Sequence, residues 1–206
     1  MASKTLIGHW KDANNLLGEF SSRLHKATEV AMKSTAINLE GTIKKGIRDQ
    51  APGGVKFKAP SKMTLASREF SGKKGRTKAL IVDSDLLNSI THKADADSAF
   101  VGIKRSARSK KGDGKKMINI AEIQEKGFGP IVIPFTPKAK RYLFAMMKAT
   151  GMAVKAKSVS TGTGKNVIIV YIPPRSYLVS TFKKWKNTAP DEFRAKIAKV
   201  MEDYGN

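Results

Sequence analysis

Apolar residues recur at spacings of three and four across residues 12–50: Leu16, Leu17, Phe20, Leu24, Ala27 and Ala31, then Leu39, Ile43 and Ile47. That period draws one apolar stripe and predicts a single long helix. Lys44, Lys45 and Arg48 stand near its end, where cations suit the helix dipole. Ala51-Pro52-Gly53-Gly54 then stops it. The stripe reads as a core-facing surface rather than as a coiled-coil seam. After it, residues 51–78 are rich in Gly, Pro, Ser and Lys and read as a long loop or arm, with at most a short helical turn over Thr64 to Phe70.

The period then changes. Ala79 to Val82 is a short apolar run that reads as a strand. Asp83-Ser84-Asp85 reads as a turn whose side chains cap a helical turn over Leu86 to Ile90. Thr91 to Ala94 and Ala99 to Lys104 read as two strands joined through Asp95-Ala96-Asp97. The stretch 104–116 carries Gly112 and Gly114 and reads as a flexible basic loop. Ile118 to Lys126 reads as a short helix ended by Gly127. Ile131-Val132-Ile133 reads as a strand, and Thr136-Pro137 as a helix start with Thr at the cap and Pro in the first turn. Residues 150–166, rich in Ser, Thr, Gly and Lys, read as a second loop or arm. Val167 to Ile172 is the clearest strand. It ends at Pro173 and Pro174, which donate no ladder hydrogen bond. Helical patterns follow over Ser176 to Lys186 and Asp191 to Tyr204.

The expected fold is a single α+β domain over residues 1–206. A small, mostly antiparallel sheet of roughly four strands packs against a long N-terminal helix and a C-terminal helix, with extended arms.

Charge changes the picture. The chain has 39 Lys and Arg against 17 Asp and Glu, a net charge of +22. Such a chain repels itself unless an anion is near, so nucleic acid, an acidic protein surface and a membrane are the candidate partners. The bases cluster: Lys104, Arg105, Arg108, Lys110, Lys111, Lys115 and Lys116 fall in one stretch and are the candidate contacts to nucleic acid or to an acidic partner. No window approaches a transmembrane length of apolar residues, and no apolar run of signal-peptide length follows Met1-Ala2-Ser3-Lys4. Synthesis in a reducing cytoplasm, with no membrane partner, is the expectation. Cysteine is absent, which removes disulfides and thiolate metal sites.

No reaction centre is legible. His9, His25 and His92 are far apart and lack metal-ligand company. Gly112-Asp113-Gly114-Lys115 and Gly162-Thr163-Gly164-Lys165 do not fit phosphate-loop spacing. Asp83 and Asp85 read as turn caps rather than metal ligands, and Glu122 and Glu125 as a solvated helix face. No nucleophile and base are paired. Catalysis, a cofactor, a metal and a small-molecule substrate are therefore not expected.

Three stretches, in order, resemble the phage virion morphogenesis family, also called tail-completion proteins. Leu80 to Ile90 is similar to the family's "L-x-D-[ST]-G-x-L-x-x-S-I" element, with Asp85 where the family has glycine. Ile120 to Gly127 is similar to "Y-A-x-I-H-x-x-G", with Ile120 and Gln124 in place of the tyrosine and histidine. As part of this second stretch, Thr136-Pro137-Lys138 to Leu143 resembles the "T-P-K-M-R-x-x-L" run that follows it in the family. Ile172 to Leu178 is similar to "I-P-x-R-P-F-L", with Ser176 where proline is usual. The resemblance implies an α+β subunit of the virion, without catalysis, that assembles as a ring, commonly a hexamer, at the head–tail junction or the head-proximal end of the tail. It implies as partners copies of the chain itself, connector or portal-side neck proteins and the tail-tube protein, with genomic DNA in the channel a further candidate. Pro173, Pro174, Arg175, Tyr177 and Leu178 are the candidate assembly residues. A net positive charge repeated around an axis suits a DNA channel or acidic neighbouring surfaces. The competing reading is a basic nucleic-acid-binding protein of the ribosome-associated kind. Charge favours it, but no RNP, KH or zinc motif does.

Overall fold

A computed structural model describes residues 10–73, 75–110, 114–151 and 167–203, with side chains from Leu17 onward. Its first element, α1 (Trp10–Arg48), is one uninterrupted helix of 39 residues, about 58 Å at roughly 1.5 Å per residue. The expected apolar stripe faces the core only from Ala27 onward; Leu17, Phe20 and Leu24, its first described members, are exposed. Ala27 and Ala31 are fully buried, and Leu39, Ile43 and Ile47 follow on the same face.

Three short elements cross this face. The hairpin of β1 (Ile90–Ala94) and β2 (Ala99–Ile103) lies against α1, paired antiparallel from Ile90↔Ile103 to Ala94↔Ala99. Its turn is held by the Asp95 carboxylate, which accepts from the amides of Asp97 at 3.1 Å and Ser98 at 2.7 Å. Helices α3 (Asp85–Ser89) and α4 (Met117–Lys126) close the core. Leu86 and Leu87, Ile90, Ile103, Met117, Ala121 and Tyr177 form one apolar cluster with the three α1 residues. At the C-terminal end, α6 (Leu178–Trp185) and α7 (Ala189–Asp203) return to α1. The small side chains of Ala27 and Ala31, both fully buried, allow a neighbouring helix to approach closely. Lys196 Nζ on α7 donates to Ser34 Oγ on α1 at 2.5 Å.

The remaining elements stand apart from that core. Strands β3 (Phe128–Pro134) and β4 (Val167–Ile172) pair only with each other among the described residues, from Phe128↔Ile172 to Pro134↔Val167 with an irregularity after Phe128. Helix α2 (Lys62–Phe70) packs on α5 (Pro137–Ala149), with Phe70 and Tyr142 edge to face at 5.4 Å.

The α+β class is as expected, with a long N-terminal and a C-terminal helix. Its strands, however, form two separate two-stranded antiparallel ribbons instead of one sheet of four. Residues 79–82 are not a strand. The Gln50 side chain takes both backbone groups of Ala79, accepting from its amide at 2.6 Å and donating to its carbonyl at 3.0 Å. Leu80 then turns with φ of +61°. Ser84 does not cap α3 with its side chain and sits at positive φ. The Asp83 carboxylate is instead held by Lys73 and Arg76.

The expected arm at 51–78 is folded down. A 3₁₀ turn at Pro52–Gly54 lies on α6. Phe57 packs on the core cluster, Lys78 Nζ donates to the Arg48 carbonyl at 2.7 Å, and α2 occupies the middle. Gly53 has φ of +62°, and a Cβ there would lie 2.3 Å from the Ser180 carbonyl; only glycine allows that approach. Of the second expected arm, residues 152–166 lie outside the described residues.

Candidate assembly and anion-binding site

Leu80 to Ile90, Ile120 to Gly127 and Ile172 to Leu178 meet around one cleft, whereas Thr136 to Leu143 lies at the start of α5, which packs on α2. The link between the Ile120 to Gly127 and Ile172 to Leu178 stretches is Glu125. Its position near the end of α4 points its carboxylate at the first turn of α6, 51 to 54 residues further on. Oε2 accepts from the backbone amides of Tyr177 at 2.9 Å and Leu178 at 3.1 Å; Oε1 accepts from Val179 at 3.0 Å and from the Ser176 hydroxyl at 2.5 Å. These are amides at a helix N-terminus that have no partner within the helix. A carboxylate there also meets the favourable end of the helix dipole. The Arg175 amide donates to the Gln124 carbonyl at 2.7 Å, which ties the segment down one residue earlier.

Gly127 lets the chain pass. It follows α4 with φ of +78°, and a Cβ there would lie 2.8 Å from the Ile172 carbonyl and 3.0 Å from the Pro174 ring. Pro173 and Pro174 end β4 as expected and lean across this gap. The reading of Glu125 as part of a solvated face is therefore corrected. Glu122, one turn earlier, is exposed and pairs with Lys126 at 2.7 Å.

The expected assembly residues separate into two groups. Tyr177 is not at a surface: it is 0% exposed in the domain's own core. Burial pushes its phenol well above the ordinary range, with the Glu125 charge adding to the effect. Its hydroxyl has no hydrogen-bond partner among the described residues. Leu178 packs on the same cluster. Tyr177 is corrected from interface to core, and Leu178 is partly buried against it, because the α6 cap fixes the start of that helix on α4. Pro173 is half-buried, Pro174 is exposed, and Arg175 is half-buried at a cleft.

That cleft has a volume of about 560 Å³ and lies between α2, α3, α4 and β4. Arg175 and Arg68 enter it from opposite sides of the sequence. Thr64, Asp85, Ser109, Lys115, Ile120 and Tyr171 are among the other residues on its walls. Burial holds the Arg175 guanidinium below its ordinary range, and the Arg68 charge lowers it further. Arg175 Nε is buried without a hydrogen-bond partner, and its Nη1 reaches Gln124 Oε1 only at 3.5 Å. Arg68 is held by the carbonyls of Arg76 at 2.6 Å and Lys78 at 3.0 Å. Sequence spacing gave no sign of Arg68.

Two further surfaces complete the site. On the β3–β4 ribbon, Val132, Ile169 and Tyr171 are 58%, 56% and 67% exposed. Neither strand contains a charged residue. The described residues of 104–116, on either side of 111–113, pair with each other instead of forming a contact-free loop. Arg108 bridges Lys116, Ser109 donates to the Lys115 carbonyl at 3.0 Å, and Met117 to the Ala107 carbonyl at 2.9 Å. This small hairpin holds Lys104, Arg105, Arg108, Lys110, Lys115 and Lys116 exposed, with Lys115 also on the cleft wall. Lys111 lies outside the described residues.

Comparison with known proteins finds no match to a family model, a curated protein or a solved structure. Among the described residues, no group of His, Asp and Glu could hold a metal ion, and no helix is long and apolar enough to cross a membrane. The arrangement is thus a set of surfaces, apolar on the ribbon and cationic on the hairpin and in the cleft.

Proposed function

We propose that this chain is a structural subunit of a tailed bacteriophage particle. In this reading it forms a ring with copies of itself at the head–tail junction or the head-proximal end of the tail, around the DNA channel. Its other partners are connector or portal-side neck proteins and the tail-tube protein.

The observation that carries the reading is the β3–β4 ribbon. Two strands alone are marginal in water. This pair exposes apolar side chains and, among the described residues, leaves the outer edge of β3 open to pairing. It is also an uncharged surface on a chain of net charge +22, so it is where a second copy approaches with least repulsion. The stretches similar to tail-completion proteins support the same role, and Leu80 to Ile90, Ile120 to Gly127 and Ile172 to Leu178 share one cleft. The cations of the 104–116 hairpin suit the wall of a DNA channel.

The test is oligomeric state at raised ionic strength, where repulsion between copies is screened to within a few ångströms at about 1 M salt. The expected result is a closed oligomer by native mass spectrometry and light scattering. Ile169→Glu on the ribbon is expected to remain monomeric with unchanged melting. A wild-type chain that stays monomeric throughout, together with a particle map lacking it on the portal–tail axis, would overturn the proposal.

The hairpin's exposed cations also favour a second reading, a basic nucleic-acid-binding protein. A strict monomer that binds RNA tightly would favour it. Replacing Lys110, Lys111, Lys115 and Lys116 with Gln should then flatten the salt dependence by roughly 0.7–0.9 in log–log slope for each phosphate that is no longer neutralised.

A further inference from the structure

The cleft at Arg68 and Arg175 has a feature that neither guanidinium explains. Three consecutive strand residues, Val170, Tyr171 and Ile172, all line it, with Pro173 just beyond the strand. Side chains of a strand alternate between faces, so consecutive lining residues mean that the cleft meets the strand at its backbone edge. No β3 residue lines the cleft, so this is the edge of β4 away from its partner. The carbonyls of Val170 and Ile172 lie beside Gly129 and Gly127 on the β3 side. By antiparallel alternation the amide and carbonyl of Tyr171 then face the open edge.

An open strand edge and two adjacent guanidiniums in one recess recognise a particular chemistry. The backbone groups of an extended polypeptide satisfy the edge, and a carboxylate on that segment satisfies Arg68 and Arg175. Apolar wall residues such as Leu80 and Ile120 suit uncharged neighbours of that carboxylate. A nucleic-acid backbone supplies no amide and carbonyl ladder, and its successive phosphates would meet Asp83 and Asp85 on the same wall. The chain's net charge of +22 favours an acidic partner over a second copy.

We infer that the cleft is a docking site for an extended, acidic–apolar segment of a partner protein, which adds as a strand to β4 and places a carboxylate between Arg68 and Arg175. The inference does not depend on ring formation, because the cleft is complete within one subunit.

The probe is a fluorescein-labelled peptide of the same six-residue length as β4, alternating Val and Thr with one central Glu, and its counterpart with Gln. Binding is read by fluorescence anisotropy at about 150 mM salt, where long-range attraction is screened. The Glu peptide is expected to bind about tenfold more tightly than the Gln peptide, as for a charge-assisted contact. Arg68→Gln and Arg175→Gln, which lie on separate elements, should each remove that preference. Tyr171→Pro, which deletes an outward amide that an edge strand can spare, should weaken both peptides. Lys199→Gln, exposed on α7 and outside the cleft lining, should change neither. Equal binding of the two peptides, absence of binding, or full affinity in Tyr171→Pro would each overturn the inference. Displacement of the peptide by oligo-dT at equal charge would assign the cleft to nucleic acid instead. Self-association of the unlabelled chain that is abolished by Arg175→Gln would assign it to a second copy.

Discussion

Removal of the Glu125 carboxylate should uncouple α6 from α4. In Glu125→Ala, three backbone amides and one hydroxyl lose their acceptor at once. Loss of an ordinary N-cap side chain costs about 1 kcal/mol, and a hydrogen bond to a charged acceptor contributes roughly 1.5–3 kcal/mol. The contributions do not add in full. Val179 is exposed, so its amide can turn to water, whereas the Tyr177 amide belongs to a buried residue. The expected destabilisation is about 2–4 kcal/mol. Glu125→Gln keeps one acceptor oxygen but turns an amide donor toward donors, and should lose about half as much. Urea denaturation followed by tryptophan fluorescence checks this, since Trp185 on α6 packs against the core cluster. The midpoint should fall with little change in slope. Faster hydrogen exchange at the Tyr177, Leu178 and Val179 amides locates the effect. A Glu125→Ala loss below about 0.5 kcal/mol, the scale of an ordinary surface substitution, would refute the view that this carboxylate holds the helix start.

Three further outcomes follow from the same packing. Tyr177→Phe removes a buried hydroxyl that has no partner among the described residues and should be neutral or stabilising by up to about 1 kcal/mol; thermal melting that falls by several degrees would contradict it. Gly127→Ala puts a methyl group against the Ile172 carbonyl at positive φ and should cost about 1–3 kcal/mol, measured by urea midpoint. For Glu40, burial alone would raise the pKa, but hydrogen bonds and charge from Lys44 and His92 outweigh it, and the folded value lies below the ordinary one. Its stabilising contribution is therefore present above the unfolded pKa of about 4.3 and is lost as pH falls through the lower folded value. Glu40→Gln should flatten the acid limb of stability against pH, and an unchanged limb would show that the pairing contributes nothing.

Regular spacing made the long elements legible. The spacing from Leu17 to Ile47 located α1, and from Ala27 onward its core face; Thr136-Pro137 located the start of α5, and the two prolines located the end of β4. Residues 79–82 mislead because a glutamine side chain, 29 positions earlier, substitutes for a neighbouring strand. Sheet partnership misleads for a related reason: strand pattern reports which faces are apolar, not which strand is adjacent. The candidate site was half legible. Arg175 stood out by its prolines, but Arg68 sits in an ordinary amphipathic turn. Tyr177 looked like an interface aromatic because its burial depends on a carboxylate more than fifty residues away. Glu125 itself has the spacing of a surface residue, and only the fold reveals the helix end it faces.

The pairing of α1 with α7 sets an order of events during synthesis. Ser34 and Lys196 are 162 positions apart, and the face that carries Ala27 and Ala31 is covered only once α7 has left the ribosome. At about 5–20 residues per second, α1 waits on the order of ten seconds with that stripe open. The β1–β2 hairpin and α4 reach the far end of α1 well before this and can settle there first. The partners of α1 thus become available from its C-terminal end toward its N-terminal end, opposite to the direction in which the helix itself was made.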